Sequence, residues 1–221
     1  MSHEFFVLMA AAVSLGVVHT LLGPDHYLPF VAIGRARRWS FKKTAFVTVI
    51  CGIGHILGAF LLGVFGIALG LQIGKLEMIE GMRGNLAAWV FIAFGLIYFV
   101  WGMRFAWKRR HPDARFENLR NSGSISRNDA APWVLFVIFV LGPCEPLIPL
   151  ILYAGAQGGM HALIGVTLMF GVSTLLTMLV AVLSLSFGFR LISTRLFGSF
   201  GHVLAGVAIL FCGLAIQFLN W

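Results

Sequence analysis

The sequence predicts an all-α integral membrane protein with six transmembrane helices, arranged as two inverted three-helix repeats in which helices 1 and 4 are broken. Three observations support this fold class: an apolar composition, six apolar stretches of spanning length, and basic residues confined to alternate connections. Of the 221 residues, 59% are hydrophobic and only 11% are charged, which is too apolar for a water-soluble domain of this size. A span needs about 20 apolar residues, and the predicted helices cover 5–33, 44–69, 85–103, 132–155, 162–188 and 200–220.

The basic residues predict the orientation of these helices. Fourteen of the sixteen Lys and Arg residues lie in the connections after helices 1, 3 and 5, whereas the connection after helix 2 carries only Lys75 and Arg83. Because basic connections face the cytoplasm, we expect a multi-pass protein of the inner (plasma) membrane with both termini outside the cytoplasm. The reversed orientation is the alternative. The net charge of +8 then indicates anionic headgroups of the lipid bilayer as partners, and not nucleic acid.

An internal repeat divides the chain. GPDHYLP at 23–29 aligns with GPCEPLIP at 142–149, and GIGHILG at 52–58 aligns with GVSTLLT at 171–177 at the same offset of 119 residues. The predicted units are a first repeat over 1–103, a cytoplasmic linker over 104–131 and a second repeat over 132–221. Each repeat has an odd number of helices, so the two repeats enter the membrane from opposite sides.

A proline follows the glycine of each Gly-Pro pair, at Pro24 and Pro143. Proline removes a backbone donor and clashes with the preceding turn, so helices 1 and 4 should break there. Broken backbone at membrane depth is tolerated only where it is buried in protein or lines a polar cavity. In transporters built from inverted repeats such breaks surround the substrate, and they therefore predict the site.

Ionisable residues cluster at these breaks. Asp25 and Glu145 are the only acidic residues within the predicted apolar stretches, and intramembrane ionisable groups are functional candidates by default. The repeat aligns Asp25 with Cys144 and His26 with Glu145, while His19 and His55 can reach the same cavity. The predicted metal ligands are His19, Asp25, His26, His55, Cys144 and Glu145, with Thr174, the counterpart of His55, as a weaker candidate. Imidazole, carboxylate and thiolate together favour a first-row transition metal over magnesium or calcium.

Each candidate also has a purely structural explanation. An intramembrane histidine can hydrogen-bond a neighbouring helix, Asp25 and His26 can cap the helix that restarts after the break, and a cysteine can pack as a small apolar side chain. These alternatives stay open at the level of sequence.

HTLLGPDH at 19–26, followed by GIGHILG at 52–58, resembles the membrane transporters grouped as nickel/cobalt permeases, urease-accessory-type transporters and sulfite exporters. The resemblance implies that His19, Asp25 and His26 bind the metal, although five residues separate His19 from Asp25 here and four do in the permeases. GPCEPLIPL at 142–150 is similar to the proline-cysteine motif of transmembrane thiol-disulfide electron carriers, which implies a distant relation. Those carriers use one cysteine from each repeat. Since Asp25 occupies the position equivalent to Cys144, Cys51 would have to serve.

We therefore expect a transporter, not an enzyme, that moves a divalent transition-metal cation and holds no tightly bound cofactor. Nickel and cobalt are the leading substrates, with zinc, copper and iron as alternatives. No ATP-binding motif is present. Two other functions stay open: a thiol-disulfide electron carrier that uses Cys144 and Cys51, and a sulfite or organic-sulfur anion permease. The absence of Lys or Arg from the predicted spans disfavours the anion permease. A homodimer and a monomer are both compatible with the sequence.

Overall fold

Seven α-helices and one 3-10 turn make up the part of the chain that the computed structural model describes, residues 3–110, 130–191 and 195–219. In chain order they are α1 (His3–Leu22), the 3-10 turn Pro24–His26, α2 (Leu28–Ala36), α3 (Phe41–Ala68), α4 (Ile73–Arg110), α5 (Ala131–Leu141), α6 (Leu147–Leu191) and α7 (Arg195–Leu219). These ranges contain no strand. The linker predicted over 104–131 lies mostly outside the described residues.

Five helices within the described ranges are long and apolar enough to cross a membrane: His3–Leu22, Phe41–Ala68, Ile73–Trp107, Gly159–Phe189 and Phe200–Phe218. Large apolar side chains are exposed along them, for example Phe6 at 68% and Phe65 at 62%. Soluble monomers rarely expose such apolar surface in large patches, whereas lipid tails cover it. The prediction of an all-α, multi-pass membrane protein is confirmed. The count of six spans stays a prediction, because the predicted fourth helix corresponds to two shorter apolar helices, Ala131–Leu141 and Leu147–Ala156.

The helix interruptions predicted at Pro24 and Pro143 are both present. Helix α1 ends at Leu22 and α2 begins at Leu28, with the 3-10 turn between them. At the first break the Tyr27 hydroxyl donates to the carbonyl of Leu21 at 3.4 Å. Helix α5 ends at Leu141, and Gly142 leaves the helix with extended backbone. At these two places inside the protein, backbone carbonyls near the helix ends thus lack helical N–H donors.

Helix α4 begins at Ile73, so the start predicted at residue 85 is wrong. The extra turns carry Lys75, Glu77, Glu80 and Arg83, which a hydropathy average places in a loop. Glu80 and Arg83 are three residues apart and form an ion pair within the helix. Their charges therefore interact on one helix face, as residues at this spacing do, and the helix continues through them.

Helix α6 reverses its direction at Gly159, whose φ of 63° and ψ of −159° are not helical. Before this glycine, Ile151 contacts α3 at Gly63, and Gly155 lies beside Ile67. After it, Gly171 lies beside Ile56, so the chain has turned back along α3. A positive φ favours glycine, which lacks a Cβ atom. The turn explains why two predicted helices, 132–155 and 162–188, meet near this point.

Helices α4 and α7 pack antiparallel through glycines. A Cβ atom at Gly95 would lie 2.5 Å from the Leu210 backbone nitrogen, and one at Gly206 would lie 2.5 Å from that of Phe99. Small residues permit such close approach of membrane helices. This pair forms one side of the molecule, and α1, α3 and α6 form the other, around the first break.

Candidate metal centre

Three histidines from separate elements converge beside the first break. The ring centroids of His19 and His26 are 4.6 Å apart, and those of His26 and His55 are 5.2 Å apart. One ring nitrogen from each residue lies within 4.8 Å of the others. His26 and His55 are buried, at 3% and 2% exposed. The structure therefore brings together three of the six predicted ligands.

Hydrogen bonds orient two of the rings. The Nδ1 atom of His55 lies 3.1 Å from the carbonyl oxygen of Phe139, and the Nδ1 atom of His26 lies 3.2 Å from a carboxylate oxygen of Asp25. Both partners are acceptors, so each Nδ1 must carry the proton and donate it. In a neutral imidazole this leaves Nε2 with a free lone pair. Such outer partners are typical of metal-ligating histidines, where they fix the tautomer and the ring orientation.

The Nε2 atoms of His19, His26 and His55 are all buried and have no hydrogen-bond partner among the described residues. A buried polar atom without a partner costs about 1–3 kcal/mol, and native proteins rarely retain three of them in one place. A single cation bound among the three rings would coordinate one nitrogen of each histidine. This is the feature by which the cluster differs from histidines that merely hydrogen-bond a neighbouring helix.

The local sequence explains how the three rings meet. His19 is in the last turn of α1, and the break after Leu22 turns the chain so that His26 lies against it. A Cβ atom at Gly23 would lie 2.6 Å from His26 Nδ1, so a side chain there would collide with the ring. His55 comes from α3, where the end of α5 holds it through Phe139. The Gly-Pro sequence thus creates the bend that the cluster requires.

The other predicted site residues are not among the three converging ligands. Asp25 is behind His26, bonded to Nδ1, in the position of an outer partner. Cys144 is fully buried in an apolar cluster with Leu147, Ile151 and Phe170, and Glu145 is exposed. Thr174 is fully buried, and its hydroxyl oxygen has no partner among the described residues. The structure gives the location and burial of these residues, and the roles of all six candidate ligands stay predictions.

A second buried polar cluster, which was not predicted from the sequence, lies at the break after α5. Glu80 is 1% exposed and accepts hydrogen bonds from Arg83 and, at 2.7 Å, from the backbone N–H of Cys144. Arg83 also donates to the carbonyl oxygens of Val140 at 2.8 Å and Gly142 at 3.4 Å. The prediction that Asp25 and Glu145 are the only acidic residues within the apolar stretches is therefore wrong. Glu80 is buried within a candidate span, and Arg83 is a basic residue inside that span.

A pattern in the sequence marks this cluster. Glu80 and Arg83 are on one face of a helix at a spacing of three residues, and Leu76, one turn earlier, is buried on the same side. The partners of the two charges, at residues 140–144, are distant in sequence, which is why the charges looked like those of a solvated loop. The charge argument against an anion permease no longer holds, because Arg83 lies within a candidate span.

The chain matches a known protein family over most of its length. The family described as "Cytochrome C biogenesis protein transmembrane region" matches residues 26–217, which is most of the chain. The chain belongs to this family. Membership in the cytochrome c biogenesis family supports the relation to transmembrane thiol-disulfide carriers and does not support the nickel/cobalt permease assignment. Curated proteins and solved structures gave no match to the chain.

The matched region begins at His26 and contains His55, Glu80, Arg83 and all three cysteines. On family membership alone, the thiol-disulfide alternative is better supported than metal transport. The convergence of the three histidines is independent of the family match, and it concerns metal binding and not thiol-disulfide exchange.

Proposed function

We propose that the protein is a membrane transporter of a transition-metal cation, which binds between His19, His26 and His55. Two observations carry this proposal: one ring nitrogen from each histidine lies within 4.8 Å of the others, and the three Nε2 atoms are buried with no partner among the described residues. Imidazole nitrogens suit zinc, copper, nickel and iron. The three converging ligands include no carboxylate oxygen, the ligand type that harder cations prefer. The family match does not identify the metal, and we propose no single one.

The geometry suits a transported ion better than a permanent structural one. Structural zinc sites have four protein ligands, whereas three leave a coordination position open. Metal–nitrogen bonds of about 2.1 Å in a tetrahedral site place the nitrogens roughly 3.4 Å apart, while here they spread over 4.8 Å. The two most distant nitrogens would have to approach by up to about 1.4 Å when the ion binds. An ion that must also leave benefits from a site that closes around it and reopens.

The contacts across the molecule support two inverted repeats with broken first helices. Ile56 packs on Gly171, and Leu175 packs on Gly52. These two contacts exchange under the 119-residue offset of the sequence repeat, as a pseudo-two-fold axis requires. In this arrangement α5 and the first part of α6 form one interrupted span, the counterpart of α1 and α2. Rocking of one repeat against the other would then open the histidine cluster to each side in turn.

Metal binding and metal uptake by the purified protein test this function. Wild type and His55→Gln would be loaded with zinc, copper, nickel, cobalt and iron, analysed for metal content, and reconstituted into liposomes for uptake. The matched control is His161→Gln, because His161 is an exposed histidine on α6 outside the cluster. We expect at least one metal to bind the wild type and the control with equal affinity. Loss of one of three ligands should weaken binding by more than about 100-fold, beyond the 10–100-fold effect of outer partners.

A protein that retains none of the five metals and transports none of them would refute the proposal. Equal metal binding by His55→Gln and wild type would do so as well, because the ion would then bind elsewhere.

A thiol-disulfide electron carrier is the second candidate, and the family match favours it. Such a carrier would pass two electrons by converting two thiols to a disulfide with release of two protons, and its partner dithiols would supply or accept them. Cys51 and Cys144 are both free and fully buried, but they belong to different apolar clusters. The two repeats would have to rearrange before the two sulfur atoms could bond.

Serine substitutions separate the two functions. If Cys51→Ser and Cys144→Ser each abolish electron transfer, and oxidation traps a disulfide between the two cysteines, the carrier function is correct. If both variants bind and transport metal like the wild type and no such disulfide forms, the metal function is favoured.

A further inference from the structure

Two adjoining cavities lie at the basic end of α2, and their described lining residues include none of the three clustered histidines. The first, of about 180 Å³, lies between α2, α3 and α6 and is lined by Arg35, Arg38, Thr44 and Ser186 among others. The second, of about 140 Å³, lies between α2, α6 and α7 and is lined mainly by apolar residues, including Leu28, Ala32, Leu204 and Ala208.

The cavities share three lining residues, Val31, Arg35 and Phe189. They therefore meet at Arg35, with a polar chamber on one side of it and an apolar chamber on the other. A ligand that fills both must combine a polar group with an apolar chain.

The charge of the polar chamber selects an anion. Two arginines line it, and among its described lining residues none is acidic. The first turn of the 28-residue helix α3 borders it through Phe41, and helix N-termini attract anions. Guanidinium groups suit the geometry of phosphate oxygens better than ammonium groups do.

The backbone at Arg38 provides an independent sign of function. Arg38 has a φ of 52°, the only positive φ among the described non-glycine residues. It follows the end of α2, and Trp39 closes the turn by donating to the carbonyl of Gly34 at 2.8 Å. Glycine is the usual residue in this conformation. An arginine held there at an energetic cost is typical of a position under functional constraint.

We propose that these two cavities bind one anionic phospholipid, with its phosphate at Arg35 and Arg38 and the start of an acyl chain in the apolar chamber. Basic pockets between membrane helices are suited to anionic headgroups. The lipid would fill the junction of α2, α3, α6 and α7, so that it stabilises the end of the broken helix against both halves of the molecule. This site is separate from the metal centre and does not depend on it.

Native mass spectrometry of the detergent-purified full chain, titrated with phosphatidylglycerol or phosphatidylcholine, tests the proposal. We expect one phosphatidylglycerol to bind in preference to phosphatidylcholine. Each arginine near the membrane surface contributes about fivefold to binding of an anionic lipid, so Arg38→Gln should raise the Kd about fivefold and the double variant with Arg35→Gln about 25-fold. The matched control is Lys42→Gln, an exposed basic residue of the same segment that lines neither cavity.

The acyl chain is tested by filling the apolar chamber. Ala32→Leu and, from the opposite wall, Ala208→Leu should each weaken phosphatidylglycerol binding. Glycerol phosphate, the soluble headgroup, should bind the wild type at least 100-fold more weakly than the lipid does. Two variants are used so that a folding defect in one leaves the other informative. Equal binding of glycerol phosphate and lipid would overturn the proposal in favour of a soluble phosphate ligand. Equal effects of Arg38→Gln and Lys42→Gln would overturn it by showing a diffuse charge effect.

Discussion

Replacement of Glu80 by glutamine should loosen the second break without changing its shape. Glutamine keeps nearly the same volume but removes the negative charge that pairs with Arg83 and accepts the Cys144 N–H. Removing one partner of a buried ion pair costs about 3–5 kcal/mol. Because the Arg83 side chain is 18% exposed and glutamine can still accept one hydrogen bond, we expect about 2–3 kcal/mol. At 1.4 kcal/mol for each factor of ten, the break should open about 30- to 140-fold more often.

The thiol of Cys144 reports this opening. Cys144 is 0% exposed in the structure, so a maleimide dye reaches it only when the break opens locally. Cys51→Ser and Cys212→Ser leave Cys144 as the single thiol, since the chain has three cysteines. In this background the labelling rate of the folded protein should rise about 30- to 140-fold on Glu80→Gln. The control Glu77→Gln, an exposed residue one turn earlier on α4, should leave the rate within about twofold.

A second variant separates opening from a direct effect of charge on the thiol. Arg83→Gln should also accelerate labelling, although it removes a positive charge where Glu80→Gln removes a negative one. The double variant should accelerate labelling less than the product of the two single effects, because the residues interact directly. Labelling rates that move in opposite directions in the two single variants would show that the Glu80–Arg83 ion pair does not hold the second break closed. A Glu80→Gln rate equal to that of Glu77→Gln would show the same.

Three further predictions concern the metal centre and the packing. Asp25→Asn should weaken metal binding about 10–100-fold in an equilibrium titration, and unchanged affinity would show that Asp25 does not orient the site. Gly206→Ala should lower the free energy of unfolding by about 1–3 kcal/mol, because its new Cβ would meet the α4 backbone at 2.5 Å. Gly188→Ala, with no atom within 4 Å, should instead raise it by up to about 1 kcal/mol; equal shifts in detergent unfolding experiments would contradict this packing. Ser40→Ala removes the N-cap of α3 and should lower the free energy of unfolding by about 1 kcal/mol, and an unchanged unfolding curve would argue against the cap.

Features that depend on local chemistry were predictable from the sequence. The Gly-Pro pairs dictate where α1 and α5 end, since proline cannot continue either helix. The approach of His19 to His26 follows from the bend between them. His55 was placed in the same cavity through the repeat motif that contains it, and the three rings do meet.

Features that depend on distant partners were not predictable. The charges of Glu80 and Arg83 lower any local average of hydropathy, and only residues 140–144, some 60 positions later, make them stable inside a helix. For the same reason Glu80, and not Glu145, is the buried acidic residue at the second break. Whether a carboxylate points inward is decided by the donors it meets there, and a single sequence does not show them.

The two breaks are equivalent in sequence but are held with different strength. Leu21 and Val140 correspond under the repeat; the carbonyl of the first accepts a tyrosine hydroxyl at 3.4 Å, and that of the second accepts a guanidinium at 2.8 Å. A charged donor bonds about twice as strongly as a neutral one, and Glu80 ties the other side of the second break to α4. The first break should therefore open more easily than the second, and motion should be concentrated at the break that carries the histidines. The second break should stay in place while the histidine-bearing break moves relative to it.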